Sequence, residues 1–180
     1  MKHETAARLV VLNKQFYQTF GREFSSTRWR VQPGVRRMLE ELTGAESILD
    51  LGCGNGELAR ELSRRGFSGE YLGLDFSVPL LQETEGLPGN FIFAEADLAG
   101  EWEGTKCKKL EDTKALCHSH FSLVTSFATL HHIPSNELRL NLLRKINILL
   151  RPGGLFVHSE WQFLNSERLR GRVRPWSEAG

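Results

Sequence analysis

Residues 48–62 read ILDLGCGNGELAREL. The first four are mostly apolar, and glycines then stand at alternate positions, Gly52, Gly54 and Gly56. After them Leu58, Ala59 and Leu62 recur at helical spacing. Glycine inside regular structure is unfavourable by roughly 0.5–1 kcal/mol relative to alanine. So dense a cluster marks a turn that bends sharply or lies close against something. The order is strand, tight turn, helix, with Asp50 just ahead of the turn. Such a turn brings backbone close to a ligand and aims helix N–H groups at it.

The flanking sequence repeats the alternation. Ala6, Leu9, Val10, Phe16, Tyr17 and Phe20 fall at helical spacing. A second helix starts at Pro33, carries Val35, Met38, Leu39 and Leu42 on one face, and stops at Gly44. SILDL (47–51) reads as a buried strand. The helix after the glycines ends at Gly66, YLGLDF (71–76) is the next strand, and Ser77 caps a short helix through Leu80 and Leu81. NFIFAEADL (90–98) and FSLVTSFATL (121–130) are the third and fourth strands. Leu138, Leu142, Leu143, Ile146, Leu149 and Leu150 mark an amphipathic helix that RPGG ends, and LFVHSEWQF (155–163) is a fifth strand. Strands alternating with helices imply right-handed crossovers. The expected fold is therefore α/β: a Rossmann-like open, mostly parallel sheet with helices on both faces. We divide the chain into an N-terminal helical segment (1–44) packing on the core, the core itself (45–163) and an Arg-rich tail (164–180).

Composition narrows the class. With 40% hydrophobic and 25% charged residues, the 180-residue chain is an ordinary single globular domain. A net charge of +1 gives no overall field for nucleic acid or membrane. No run is long enough to span a bilayer, and the N-terminus is too polar for a signal peptide. Three cysteines without framework spacing imply a reduced, cytoplasmic setting.

Ligands of open parallel sheets bind beyond the carboxyl ends of the strands. Three successive strands here end at or near an aspartate: Asp50, Asp75 and Asp97. A single one reads as a helix cap; three beside a glycine turn point to a ligand. Dinucleotides and S-adenosylmethionine both fit such a turn. The dinucleotide fingerprint is G-x-G-x-x-G, and here the third glycine comes a residue early while position 57 is Glu. Asp50 also sits badly against pyrophosphate and suits an ammonium or a sulfonium.

ILDLGCGNG, the acidic end of YLGLDF, AEADL and LLRPGGLF resemble, in order and spacing, the motifs of class I S-adenosylmethionine-dependent methyltransferases. The resemblance implies S-adenosyl-L-methionine as cofactor. It implies that Asp50 and the loop Gly52, Cys53, Gly54, Asn55 and Gly56 hold the methionine part. It gives Asp75 the ribose hydroxyls and Asp97, with Leu98, the adenine amine. Phe76 and Phe127 complete the expected cofactor set. Cys53 also reads as a small residue filling a tight turn, and Phe76 as core.

FYQTFGREFSSTRWRVQPGVRRML (16–39), LHHIPSNELRLNLLRKI (130–146) and, more loosely, SEWQF to VRPW (159–176) are similar to one branch of that family. It comprises the tRNA methyltransferases that esterify 5-carboxymethyluridine at the wobble position. The resemblance implies tRNA as partner and, in some members, a small zinc-containing activator subunit. A small-molecule methyltransferase and a non-catalytic cofactor-binding module stand as alternatives.

Methyl transfer is an in-line displacement, and a carboxylate acceptor near neutral pH is already ionised and needs no base. His131 and His132, at the end of the fourth strand, are the candidate catalytic residues, as acceptor-orienting groups or as a base for another acceptor. The same pair also reads as a polar strand end. Residues 1–44 hold eight basic against four acidic side chains, and 164–180 four against two. Arg28, Arg30, Arg36 and Arg37, with Arg168, Arg170, Arg172 and Arg174, suit phosphate contacts or a solvated face. Residues 99–120 carry Cys107, Cys117, His118 and His120 without the close ligand pair of structural zinc sites. We expect a mixed-charge insertion there and no metal. Seventeen residues after Phe163 are too few and too polar for the two further strands such a sheet usually carries. The final hairpin is therefore expected to be missing, in a shortened chain or a natural variant, leaving the edge of strand five open.

Overall fold

A computed structural model of the chain describes residues 1–26, 31–100, 102 and 120–173. Arg28, Arg30, Cys107, Cys117, His118 and Arg174 lie outside the described residues.

Five strands form one sheet in the order β3-β2-β1-β4-β5: β1 (Ser47–Leu51), β2 (Glu70–Asp75), β3 (Phe91–Glu95), β4 (Phe121–Phe127) and β5 (Leu150–Ser159). All four ladders are parallel. The helices are α1 (His3–Ser26), α2 (Pro33–Glu40), α3 (Glu57–Arg64), α4 (Val78–Leu81), α5 (Asn136–Leu149) and α6 (Glu167–Arg170). Sheet residues alternate between two cores. Leu49, Leu51, Leu72, Leu74 and Val124 face Leu142, Ile146 and Leu149 of α5. Ile48, Tyr71 and Leu123 face Val35 and Leu39 of α2 and Leu58, Ala59 and Leu62 of α3. Helices therefore cover both faces, as the alternation requires.

Four expectations need correction. Phe16 and Phe20 lie on α1 but are 43% and 52% exposed, because the helix turns Ala6, Gly21 and Ser25 inward. Ser77 does not cap α4 through its side chain: its backbone N–H donates to Asp75 Oδ1 at 2.8 Å and its hydroxyl to the Tyr17 carbonyl at 3.2 Å. α2 ends at Glu40 and not at Gly44. The fifth strand begins at Leu150 and stops at Ser159, because RPGG continues straight from the helix into the ladder with a bulge opposite Phe121 and Leu123. After it, the described residues hold a single turn at Phe163–Asn165 and the short α6.

β1 and β4 are adjacent although β2 and β3 intervene in sequence, so the connections leave β1 and β4 toward opposite ends of the sheet. A crevice opens at that reversal of strand order, where ligands of such sheets bind.

Candidate active site

The glycine turn follows β1 and rests on the end of β2. Gly52 and Cys53 both donate N–H to the Leu74 carbonyl, at 2.7 and 3.1 Å. All three glycines have positive φ, +78°, +54° and +77°. Gly52 has a second constraint, since a Cβ there would lie 2.2 Å from Thr129 Oγ1. The turn is thus wedged between β2 and the segment after β4, and only glycine fits its first position. Ala128, next to that segment, is itself held at φ +55°, a conformation that non-glycine residues seldom adopt and that clusters at functional sites.

Asp50 is buried beneath the turn and accepts hydrogen bonds from Tyr71 Oη at 2.6 Å and Thr125 Oγ1 at 2.8 Å. Burial pushes its pKa up to about 6, against the pull of those two bonds. Asp75, at the tip of β2, accepts the N–H groups of Ser77 and Gly54, each at 2.8 Å. Burial raises its pKa as well, with the two N–H donors opposing. Cys53 is buried, and its thiol is held far above the ordinary value by burial and by the neighbouring Asp75 and Asp50. That suits a space-filling role and not a reactive one.

α1 roofs this crevice with its polar face. Lys14 Nζ reaches Asp97 Oδ2 at 2.6 Å, the Asn13 amide donates to the His132 carbonyl at 2.9 Å, and the Gln18 amide donates to the Phe76 carbonyl at 3.0 Å. Tyr17 Oη stands 3.0 Å from His132 Nε2, and the Tyr17 ring meets Phe76 edge-on at 5.8 Å. Two cavities lie beneath. The first, about 230 Å³, is lined by Asp75, Phe76, Asp97, Leu98 and His132 with Tyr17 as roof. The second, about 650 Å³, is lined by Asp50, Cys53, Glu57, Val31, His158 and Glu160. They share Gly52, Phe127, Ala128 and Trp161, so together they form one bent cleft.

Gly52, Gly54, Asp75, Phe76, Asp97, Leu98, Phe127 and His132 gather around the first cavity, and Asp50 and Cys53 reach the second. Asn55 does not line either; its amide is spent on Ser25 at 2.7 Å, tying the loop to α1. Gly56 serves as the left-handed N-cap of α3. The two histidines diverge. His132 faces the first cavity, whereas His131 turns away, its Nδ1 2.9 Å from Glu160 Oε2 and its ring 5.2 Å from that of Trp161. Asn13, Lys14, Glu160 and Trp161 were not singled out from sequence, and Tyr17 only as one of the apolar positions of the first helix. Asn13 and Lys14 sit on the polar side of an otherwise ordinary amphipathic helix; Glu160 and Trp161 sit where the fifth strand was read as continuing.

The chain matches the family model for a methyltransferase domain over residues 22–179. It belongs to that family. A tRNA (carboxymethyluridine(34)-5-O)-methyltransferase of Arabidopsis thaliana is 27% identical over 146 residues, 81% of this chain and 31% of that protein. An S-adenosylmethionine-dependent methyltransferase from Mesorhizobium loti is 31% identical with a TM-score of 0.53, covering 71% of this chain and 52% of that one. A Haloferax volcanii methyltransferase solved in complex with the Trm112 activator shares the fold at 17% identity and a TM-score of 0.62, covering 89% of this chain and 66% of that one. Fold, methyltransferase class and S-adenosylmethionine dependence follow from the family.

The site's own chemistry suits that cofactor. Five carboxylates, those of Asp50, Glu57, Asp75, Asp97 and Glu160, and no Lys or Arg other than Lys14 line the described cleft, so it favours a cationic ligand rich in N–H and O–H donors. Among the described residues no helix is long and apolar enough to cross a membrane.

Proposed function

We propose that the chain methylates the carboxylate of 5-carboxymethyluridine at the wobble position of tRNA. The observation that carries this is the bent cleft: a smaller cavity walled by Asp75, Phe76 and Asp97 adjoins a larger one along Gly52, Phe127, Ala128 and Trp161, which line both. One limb suits an adenosine and the other an acceptor. In this reading Asp75 takes the ribose hydroxyls, Asp97 with Leu98 takes the adenine amine, Phe76 and Phe127 pack against the rings, and the Gly52–Gly56 turn with Asp50 holds the amino-acid end. When bound, S-adenosylmethionine supplies an electrophilic methyl group on sulfur. The neck at Phe127, Ala128 and Trp161 aligns the acceptor with it and excludes water, and such positioning accounts for much of the rate. His132, fixed by Tyr17 Oη and by Asn13 through its carbonyl, lines the first cavity and orients the acceptor carboxylate where it reaches past the neck toward the methyl group. A carboxylate is ionised throughout the neutral range, so no base is required.

The tRNA assignment is supported by the named activity of the Arabidopsis relative. The Haloferax complex supports a small activator subunit as partner. The cytoplasm is the setting. One observation favours a small-molecule acceptor instead: among the described residues the second cavity has no Lys or Arg to greet a carboxylate. Transfer of a labelled methyl group to bulk tRNA or to a metabolite extract tests the two. Alkali-labile label in tRNA is expected, because a methyl ester hydrolyses in base. Label confined to the extract would establish the small-molecule reading, and cofactor binding without any transfer would leave a binding module.

A further inference from the structure

Glu160 follows the last residue of β5 and lines the second cavity. Its Oε2 is taken by His131, at 2.9 Å from Nδ1; a carboxylate only accepts, so that nitrogen carries the proton. Trp161 packs on the His131 ring at 5.2 Å, and the Ala128 N–H holds the Ser159 carbonyl just before Glu160 at 2.9 Å. The carboxylate is therefore held from behind. Its Oε1 is different: it is buried and has no hydrogen-bond partner among the described residues. His158 Nδ1, at 3.8 Å, is too far to donate. A buried acceptor without a hydrogen bond is costly in a folded protein and calls for an explanation; Oε1 is enclosed by protein atoms, and a small turn of the carboxylate toward the second cavity is what presents it to a ligand there.

Resting on the RNA reading above, we infer that Glu160 Oε1 reads the acceptor base by accepting a hydrogen bond from its ring N–H, which in a uracil is the imide at N3. Cytosine presents an acceptor at the same position, and two acceptors face to face repel. Base-edge readout of an unstacked nucleotide by one fixed side chain is the usual way in which single-stranded RNA is distinguished. Glu160 would thus set specificity for the base, while the rest of the cleft handles the carboxymethyl arm.

The test compares two anticodon stem-loops that differ in one nucleotide, with 5-carboxymethyluridine or 5-carboxymethylcytidine at the wobble position. Binding to the full chain is measured in the presence of S-adenosylhomocysteine, and methylation with S-adenosylmethionine. The wild-type chain should prefer the uridine hairpin by roughly ten- to a hundredfold, the scale of one good base-edge contact. Glu160→Gln is isosteric, still accepts from His131, and can turn its amide to donate to cytosine. It should bring the two hairpins within about threefold of each other, with S-adenosylhomocysteine affinity unchanged as the check on folding. Equal binding of both hairpins by the wild-type chain, or full discrimination in Glu160→Gln, overturns the inference and leaves the RNA reading standing. Failure to bind or methylate either hairpin, both alone and with a Trm112-type activator added, removes the RNA reading and this inference with it.

Discussion

Asp50 carries the clearest titration. Its carboxyl ionises at about 6 in the fold against 3.8 ordinarily, because burial disfavours the charge. Between those pH values the folded chain keeps a proton that the unfolded chain has lost, so stability falls as pH rises through the window and levels off above it. The gap corresponds to roughly 3 kcal/mol. Asp50→Asn cannot titrate and loses one of its two hydroxyl donors at any pH. The wild-type minus variant difference in unfolding free energy, from urea titrations, should therefore shift toward the variant by about 2 kcal/mol from pH 4 to pH 7, since the unfolded carboxyl is already more than half ionised at pH 4. A constant difference would remove Asp50 as the source. Gly52 offers a second test, paired with Gly66. Both have φ near +77°, but an added Cβ meets nothing within 4 Å at Gly66 and Thr129 at 2.2 Å at Gly52. Gly66→Ala should cost about 1–3 kcal/mol from backbone strain alone. Gly52→Ala should cost more and also weaken cofactor binding; equal thermal shifts would mean that the wedge against Thr129 yields. These residues were legible because glycine spacing and strand-end carboxylates are rare patterns with few physical explanations.

At the scale of elements, the outcome divides by what holds each one. β1, β2 and β4 and the helices α3 and α5 were legible because their apolar periodicity is satisfied by the two cores, and Ser135 accepts the Leu138 N–H at 3.1 Å as an N-cap of α5 should. α1 was legible as a helix but not in orientation. Periodicity points its aromatic residues inward, whereas the protein turns Asn13 and Lys14 inward beside Tyr17 and leaves Leu12, Phe16 and Phe20 exposed. Polar contacts can be exchanged for contacts with water, and the Lys14–Asp97 pair is more than a third exposed on each side. α1 should therefore open more readily than the sheet. Hydrogen exchange should show α1 amides exchanging well ahead of those in β1 and β4, and S-adenosylhomocysteine should slow α1 selectively. Equal protection of α1 and β4 without ligand would show that the roof is part of the global unit. Lys14 also occupies the carboxylate assigned to the adenine amine. Lys14→Ala should thus leave cofactor affinity unchanged or raised, while loss of binding would make Lys14 a ligand-holding residue.

For the whole molecule, the alternation of strands and helices sufficed to specify a parallel sheet, because parallel neighbours need crossovers and crossovers need helices. The second half of the cleft was not legible. Whether Glu160 and Trp161 continue a strand or turn into a cavity depends on where the ladder stops, and it stops where Ser159 pairs with Phe127. Nothing in LFVHSEWQF marks that point. The same ladders have a kinetic consequence. No described neighbours in the sheet are joined by a hairpin, and the central contact sets Ile48 against Leu123, with β2 and β3 lying between them in sequence. Pairing of this kind closes long loops before any contact rewards it, so refolding should be slow for the chain's size. The ligand-binding cleft, assembled from the ends of several strands, then exists only late on the path. In stopped-flow denaturant jumps, S-adenosylhomocysteine should slow unfolding in proportion to its concentration and leave the refolding rate unchanged. The bound chain would be long-lived once made, and no faster to make.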